Sequence, residues 1–180
     1  MKRRAALCLL LAAACVPTSR PTGGGARDLL SVGTPAPDLS ARDQNGTMRT
    51  LREFRGRVVV LYFYPRDGTP GCTREACGFR DSWDRLSAAG AQVVGVSMDS
   101  VESHREFADA HRIQFPLLAD TDGRVCARFG VGAHLGMAER VTYLLDAQGV
   151  VRRVFPAVDP SVHAAEVLSA IEAISRPAAQ

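Results

Sequence analysis

One uninterrupted apolar run, Val58 to Tyr64, constrains the fold of this chain more than any other feature. Its residues read VVVLYFY, all of them β-branched, aromatic or leucine. Such a run predicts a strand covered on both faces, because a strand with one face in water alternates apolar and polar residues. A sheet built around such a strand needs helices on both sides. We therefore expect a layered α/β domain.

The segments after this run alternate between helix and strand patterns. Helices are predicted at 71–89, 101–112, 122–129 and 160–174, and strands at 92–98, 115–119, 140–145 and 150–155. The last two strands flank Asp-Ala-Gln-Gly at 146–149, which is typical of a hairpin. In the first helix, spacings of three and four predict one buried face, formed by Ala76, Phe79, Trp83 and Leu86. This order predicts a mixed central β-sheet flanked by helices, as in the thioredoxin-like fold.

Residues 1–15 have the pattern of an export signal. Lys2, Arg3 and Arg4 precede a ten-residue apolar stretch that leads to Cys15, and this stretch is too short to span a bilayer. Its end, LAAAC, resembles a bacterial lipobox, in which the Cys is lipidated; a plain cleaved signal and no export are the alternatives. We expect a lipoprotein on the periplasmic face of a bacterial membrane, or a soluble periplasmic or secreted protein.

Composition divides the rest of the chain and limits its partners. Residues 16–31 are rich in Pro, Gly, Ser and Thr and predict a flexible tether, followed by a folded domain at 32–176 and a short tail at 177–180. The net charge is +3, but residues 1–27 contain five basic residues and no acidic one. The remainder is slightly acidic, so we expect no nucleic-acid partner.

Only two of the five cysteines lie in a chemically informative segment. Cys8 and Cys15 belong to the signal region, and Cys126 is expected to be a buried small apolar residue. Cys72 and Cys77 remain. No metal site is expected, because the chain has no Cys-x-x-Cys pair and its histidines are scattered. The histidines are expected on the surface or in helices; they are His104, His111, His134 and His163.

Cys72 occupies a position that favours an anion. Thr69 suits the N-cap of a helix and Pro70 the first helical position, which places Cys72 in the first turn. Free N–H groups and the helix dipole favour negative charge there, so Cys72 is a candidate nucleophile.

Cys77 lies too far from Cys72 to form a disulfide in an intact helix. Five residues along a helix separate two Cα atoms by about 8.7 Å, whereas a disulfide tolerates no more than about 7 Å. A bond between them requires the first turns of the helix to unwind. That requirement suits a reversible redox cycle better than a static structural disulfide.

The segment at 63–72, FYPRDGTPGC, resembles the peroxiredoxin active-site signature Pro-x-x-x-Thr-x-x-Cys. The residues that match the signature are Pro65, Thr69 and Cys72. The continuation through Cys77 and the Phe-Arg-Asp at 79–81 is similar to the Q-type subfamily, also called bacterioferritin comigratory protein. The similarity extends over about 32–174, which is nearly the whole folded domain.

The resemblance implies a thiol-dependent peroxidase acting on hydrogen peroxide and organic hydroperoxides. Cys72 would attack the peroxide and become a sulfenic acid, and Cys77 would resolve it to an intramolecular disulfide. Thr69 would hydrogen-bond the thiolate and the peroxide, Pro65 would shield the site from water, and Arg140 would stabilise the developing negative charge. No cofactor is implied. A thioredoxin-like protein or another dithiol would recycle the enzyme, which is expected to be a monomer.

Two other functions remain open from the sequence. An exported thioredoxin-like thiol–disulfide oxidoreductase would normally carry Cys-x-x-Cys, whereas this chain has Cys-x-x-x-x-Cys. A non-catalytic tethered module would use the same two cysteines as a structural disulfide. The export signal, which many relatives lack, leaves the reductant undetermined, because thioredoxin is usually met in the cytosol.

Overall fold

The computed structural model describes residues 28–175 and places the long apolar run at the centre of its sheet. The strands are β1 (Ser40–Asp43), β2 (Met48–Thr50), β3 (Val58–Phe63), β4 (Ala91–Ser97), β5 (Leu117–Ala119), β6 (Ala133–His134), β7 (Met137–Ala138), β8 (Val141–Leu145) and β9 (Val151–Phe155). The helices are α1 (Pro70–Asp81), α2 (Trp83–Ala88), α3 (Val101–His111), α4 (Arg124–Arg128) and α5 (His163–Ser175), and a 3-10 turn spans Leu51–Phe54.

Seven of the strands form one mixed sheet in the order β2-β1-β5-β4-β3-β8-β9. Strands β3, β4 and β5 run parallel, and β8 pairs antiparallel with both β3 and β9. Strands β6 and β7 form a separate hairpin. The α/β, thioredoxin-like arrangement that the sequence predicts is confirmed.

Alternate residues of β3 enter two hydrophobic cores, one on each face of the sheet. Leu61 and Phe63 pack with the core that contains α4 and the 3-10 turn. Val60 and Tyr62 pack with the core under α1, α2, α3 and α5. A strand buried on both faces has no polar position to offer, which explains the unbroken apolar run.

Gly95 of β4 lies directly under the aromatic ring of Tyr62. Tyr62 is its register partner on β3, and a Cβ on residue 95 would lie 2.8 Å from the Tyr62 ring and from Leu117. The Tyr62 ring stacks with Tyr64 at 5.3 Å and packs on Phe79 of α1 at 5.0 Å. The absence of a side chain at Gly95 therefore lets this aromatic layer support α1.

The predicted helix at 71–89 is wrong in one respect, because the chain breaks it at Ser82. Ser82 has φ −92° and ψ 2°, so α1 ends and α2 begins on either side of it, although its N–H still donates to the Gly78 carbonyl. The break lets Trp83 stack on Phe115 at 6.0 Å while remaining half-buried. The other three residues of the predicted apolar face are fully buried.

Residues just before position 32, the predicted start of the folded domain, already contact that domain. Leu29 and Leu30 pack against the core, and the Leu30 N–H donates to the Tyr143 hydroxyl at 3.2 Å. The predicted export signal with Cys15, most of the predicted tether, and the tail at 177–180 lie outside the described residues. Within 28–175, no helix combines the length and apolarity needed to cross a membrane.

Candidate active site

The N-terminus of α1 lies where the sequence predicts it. Thr69 is the N-cap with an extended backbone, Pro70 is the first helical residue, and the Thr73 N–H donates to the Thr69 carbonyl at 2.9 Å. Cys72 thus lies in the first turn, and its side chain is buried. The free backbone N–H groups and the dipole of a helix N-terminus make this a favourable position for negative charge.

The Thr69 hydroxyl is engaged in the loop that precedes the helix. It donates to the Arg66 carbonyl at 3.1 Å and makes no capping bond to α1. A hydroxyl has one proton and two acceptor lone pairs. In this arrangement Thr69 can accept a hydrogen bond from an incoming hydroperoxide, and donation to a thiolate requires the hydroxyl to turn. Pro65 lies half-buried at the start of the same loop.

Arg140 reaches the thiol from the neighbouring strand. It immediately precedes β8, whose first residue, Val141, pairs with Phe63 at the end of β3. This pairing places Arg140 beside the loop that leads into α1. Its Nη2 lies 3.1 Å from Cys72 Sγ. The structure therefore brings Cys72 and Arg140, two of the predicted site residues, into direct contact.

A buried carboxylate, Glu75, completes the contact and was not predicted. Arg140 Nη1 donates to Glu75 Oε2, so the guanidinium fork joins the carboxylate and the Cys72 sulfur. Burial raises the pKa of Glu75 to about 7, although the charge and hydrogen bond of Arg140 act to lower it. Burial lowers the pKa of Arg140, but Glu75 and Cys72 outweigh it and leave that pKa raised.

His163 lies behind Glu75 and is also fully buried. Its Nε2 is 2.8 Å from Thr142 Oγ1 and 4.0 Å from Glu75 Oε1. Burial lowers the pKa of His163 to about 4, so the ring is neutral at pH 7. His104 is fully buried as well, and both buried histidines lie in helices, which is one of the two placements that the sequence predicts.

The three described cysteines are free thiols in different surroundings. Cys77 is half-buried and lies on the same unbroken helix as Cys72, so the two do not meet in this form. Cys126 is fully buried, as the sequence predicts, and its backbone N–H donates to Asp120 Oδ2 at 2.8 Å. Burial and the neighbouring Asp120 raise the pKa of Cys126 well above its ordinary range. Cys126 is therefore kept as an unreactive thiol.

Comparison with known proteins gives the family. Residues 32–154 match the model of the AhpC/TSA family. The chain is 44% identical over 146 residues to the candidate peroxiredoxin bcp of Coxiella burnetii, covering 77% of this chain and 97% of that protein. The chain belongs to the AhpC/TSA family. Within this family it is a peroxiredoxin of the Q type.

Further relatives agree with this assignment in sequence and in structure. Peroxiredoxin Q of rice chloroplasts is 42% identical over 148 residues, covering 81% of this chain and 68% of that protein. Peroxidoxin BcpB from Mycobacterium tuberculosis has a TM-score of 0.76 at 37% identity, covering 81% of this chain and 98% of that one. Peroxiredoxin Q from Xanthomonas campestris has a TM-score of 0.72 at 38% identity, covering 77% and 92%.

Near its active site this peroxiredoxin also contains a small polar cluster that sequence analysis missed. Asp67, Asp99 and His104 bring metal-ligand atoms within 4.8 Å of one another. These atoms are already engaged, since Asp67 Oδ2 contacts His104 Nδ1 at 2.8 Å and Asp99 Oδ2 accepts from Ser97 Oγ at 2.6 Å. The cluster is thus explained as a hydrogen-bonded network. A sequence signal existed, because Asp67 lies inside the signature loop.

Proposed function

We propose that this peroxiredoxin reduces hydrogen peroxide and organic hydroperoxides at Cys72. The observation that carries the proposal is the 3.1 Å contact between Arg140 Nη2 and the buried Cys72 sulfur at the N-terminus of α1. A guanidinium can form a charge-assisted hydrogen bond with a thiolate, which is the nucleophilic form of a cysteine. The same cation faces the negative charge that develops when a peroxide bond breaks.

In the first step the Cys72 thiolate attacks the terminal oxygen of the hydroperoxide. A sulfur–oxygen bond forms while the oxygen–oxygen bond breaks, so the sulfur is oxidised by two electrons and becomes a sulfenic acid. The departing alkoxide takes up a proton and leaves as the alcohol, or as water when hydrogen peroxide is the substrate. Arg140 stabilises this leaving oxygen, Thr69 accepts a hydrogen bond from the peroxide, and Pro65 limits the access of water.

In the second step Cys77 resolves the sulfenic acid. The Cys77 thiolate attacks the Cys72 sulfur, a disulfide forms, and hydroxide leaves and is protonated to water. The first turns of α1 must unwind for this step, because the two residues are five apart on a continuous helix. A thioredoxin-like protein or another dithiol then returns both thiols by exchange and becomes a disulfide itself. The enzyme acts as a monomer.

The two competing functions fit less well. A structural disulfide between Cys72 and Cys77 is disfavoured because both are free thiols on an intact helix. A general thiol–disulfide oxidoreductase has no need for a buried guanidinium on its thiol, since its substrate is another protein disulfide rather than a small peroxide. Neither function accounts for Arg140 and Glu75.

Replacement of Cys77 tests the catalytic cycle. Cys77→Ser is expected to react with about one equivalent of hydrogen peroxide per chain and then to stop turning over, because the sulfenic acid has no thiol partner and any further peroxide only over-oxidises it. Wild-type protein with a thioredoxin-like reductant turns over repeatedly and, once oxidised, gives a peptide containing the Cys72–Cys77 bond in mass spectrometry. Cys126→Ser is the control and keeps wild-type turnover. An intermolecular bridge, or a bond to Cys126, contradicts the cycle.

We also propose that the enzyme is exported and anchored through Cys15, which lies outside the described residues. The support is the lipobox-like sequence at 11–15 and the Pro- and Gly-rich segment after it. Two or three acyl chains on one cysteine give a stable attachment, whereas a single chain binds only marginally. The anchored enzyme then works at the periplasmic face of a bacterial membrane.

Replacement of Cys15 tests the anchor independently of the chemistry. Cys15→Ala is expected to move the protein from the detergent phase to the aqueous phase of a phase-separation extraction, with unchanged peroxidase activity, or to block processing. Cys8→Ala, earlier in the same signal, is the control and keeps the wild-type distribution. Wild-type protein that partitions into the aqueous phase, with a mature N-terminus other than residue 15, rules out the anchor and leaves the peroxidase proposal intact.

A further inference from the structure

A single carboxylate, that of Asp67, fastens the loop at 65–69 to the body of the protein. Asp67 Oδ1 accepts from the Tyr64 hydroxyl at 2.8 Å. Its Oδ2 accepts from Ser103 Oγ at 2.9 Å and lies 2.8 Å from His104 Nδ1. The Asp67 N–H donates to Asp99 Oδ2 at 2.9 Å. We call these five residues the Asp67 latch.

The carboxylate at the centre of the latch is shielded from solvent, whereas Asp99 and Ser103 at its edge are half-buried. The Asp67 side chain is 6% exposed and that of His104 is fully buried. His104 Nε2 has no hydrogen-bond partner among the described residues, so the ring proton resides on Nδ1 and is donated to Asp67. Burial raises the pKa of Asp67, but the hydrogen bonds from His104, Tyr64 and Ser103 outweigh it and lower that pKa. Asp67 is therefore an ionised acceptor.

The latch joins three elements to the loop that sets the active site. Tyr64 ends the central apolar run, Asp99 follows β4, and Ser103 and His104 lie on α3. The loop that Asp67 fastens also carries Pro65 at its start and ends at Thr69, the N-cap of α1. The first turns of α1 are the part that must unwind before Cys72 and Cys77 can bond. The attachment of the loop therefore contributes to the cost of unwinding.

We propose that Asp67 is a positioning residue that sets how the Cys72 sulfenic acid divides between Cys77 and a second hydroperoxide. The inference rests on the proposed roles of Cys72 and Cys77. With the latch closed, Thr69 and Cys72 are held in the arrangement that attacks peroxide, and the helix stays wound while the sulfenic acid waits. With the latch open, the helix unwinds more readily and Cys77 captures the sulfenic acid sooner.

The second hydroperoxide reacts with the waiting sulfenic acid rather than with a thiol. The sulfenate sulfur attacks the terminal oxygen, a second sulfur–oxygen bond forms, and the oxygen–oxygen bond breaks to release the alcohol or water. The product is a sulfinic acid, which a dithiol reductant cannot restore. A tighter latch therefore favours both rapid peroxide attack and inactivation by excess peroxide.

This role predicts effects of opposite sign on the two steps. Weakening the latch is expected to slow peroxide attack, because Thr69 and Cys72 lose their fixed arrangement, and to accelerate disulfide formation, because α1 unwinds more easily. A residue that only stabilises the fold changes the melting temperature and does not produce opposite changes in the two rates. The ratio of the two rates is thus the decisive quantity.

Stopped-flow fluorescence of the reduced enzyme mixed with hydrogen peroxide measures both steps. Trp83 is the only tryptophan and begins α2 directly after α1, so it reports on changes in the helix. Asp67→Asn is expected to slow the first phase by about tenfold, the effect of losing a charge-assisted hydrogen bond. The second phase is expected to become faster, and mass spectrometry should detect less sulfinic acid after excess peroxide.

Matched variants decide the outcome. Asp109→Asn, on the exposed side of α3, is the control and keeps both phases. Ser103→Ala removes one donor and leaves the carboxylate, so it should give smaller changes of the same signs even if Asp67→Asn does not fold. Unchanged phases, or two phases slowed together, overturn the role of Asp67. A wild-type second phase that persists in Cys77→Ser instead overturns the proposed catalytic cycle, and the latch role with it.

Discussion

Replacing Cys72 by Ser is expected to lower the rate of hydroperoxide reduction to about a thousandth of the wild-type rate or less. Serine keeps the shape of the side chain, but its hydroxyl stays protonated at neutral pH and is a weak nucleophile. The remaining thiols do not compensate, because Cys77 lacks the contact with Arg140 and Cys126 is buried and protonated. For comparison, the loss of one preorganised hydrogen-bond donor at a developing oxyanion lowers a reaction rate by about 100- to 1000-fold. Loss of the nucleophile itself should lower the rate at least as much.

The measurement is hydrogen peroxide consumption with a thioredoxin-like reductant in excess, together with a free-thiol count after one equivalent of peroxide. Wild-type protein loses two thiols per chain, and Cys72→Ser loses none over the same interval. Cys126→Ser retains wild-type turnover. Retained turnover in Cys72→Ser places the reacting sulfur elsewhere and excludes the proposed chemistry.

Replacing Arg140 by Met is expected to lower the rate of the first step by about 100- to 1000-fold, because the guanidinium acts on charge that develops as the peroxide bond breaks. Arg140→Lys should remain at least about tenfold slow, because a single ammonium cannot reproduce the fork that joins Glu75 Oε2 and Cys72 Sγ.

The stability of this variant needs its own control. Without Arg140 the buried Glu75 loses the two influences that lower its pKa, so that pKa rises further and the carboxyl becomes neutral. The double variant Glu75→Leu/Arg140→Met removes the unpaired polar group and is expected to recover melting temperature without recovering rate. Arg152→Met, an exposed arginine on the neighbouring strand β9, is the control. An unchanged first step in Arg140→Met removes Arg140 from the mechanism.

Local signals predicted the parts of the site that depend on nearby residues. The start of α1 follows from Thr69 and Pro70, and the position of Cys72 follows from them. The central strand follows from its apolar run. The burial of this strand is predictable because a pattern of a few consecutive residues is enough to indicate it.

The rest depended on partners far along the chain. Glu75 looks like an ordinary surface residue of a helix until Arg140, 65 residues later, is placed beside it. The buried His104 ring contacts Asp67, which lies 37 residues earlier in the chain, before β4. Strands β1 and β2 and the hairpin of β6 and β7 have two to four residues each, which is too short for a periodic pattern to emerge.

The position of Glu75 between Cys72 and Cys77 on α1 couples the redox state of the enzyme to protons. Burial in the wound helix gives Glu75 a pKa of about 7, against an ordinary value of 4.5. The unwinding that we propose for disulfide formation would carry this carboxyl into water, where it would hold its proton less tightly. Between those two pH values, oxidation would therefore release a proton from Glu75, whereas the thiol protons leave in the water and alcohol that the peroxide becomes. Rising pH through that window favours the unwound, oxidised form, and acidification favours the wound, reduced form.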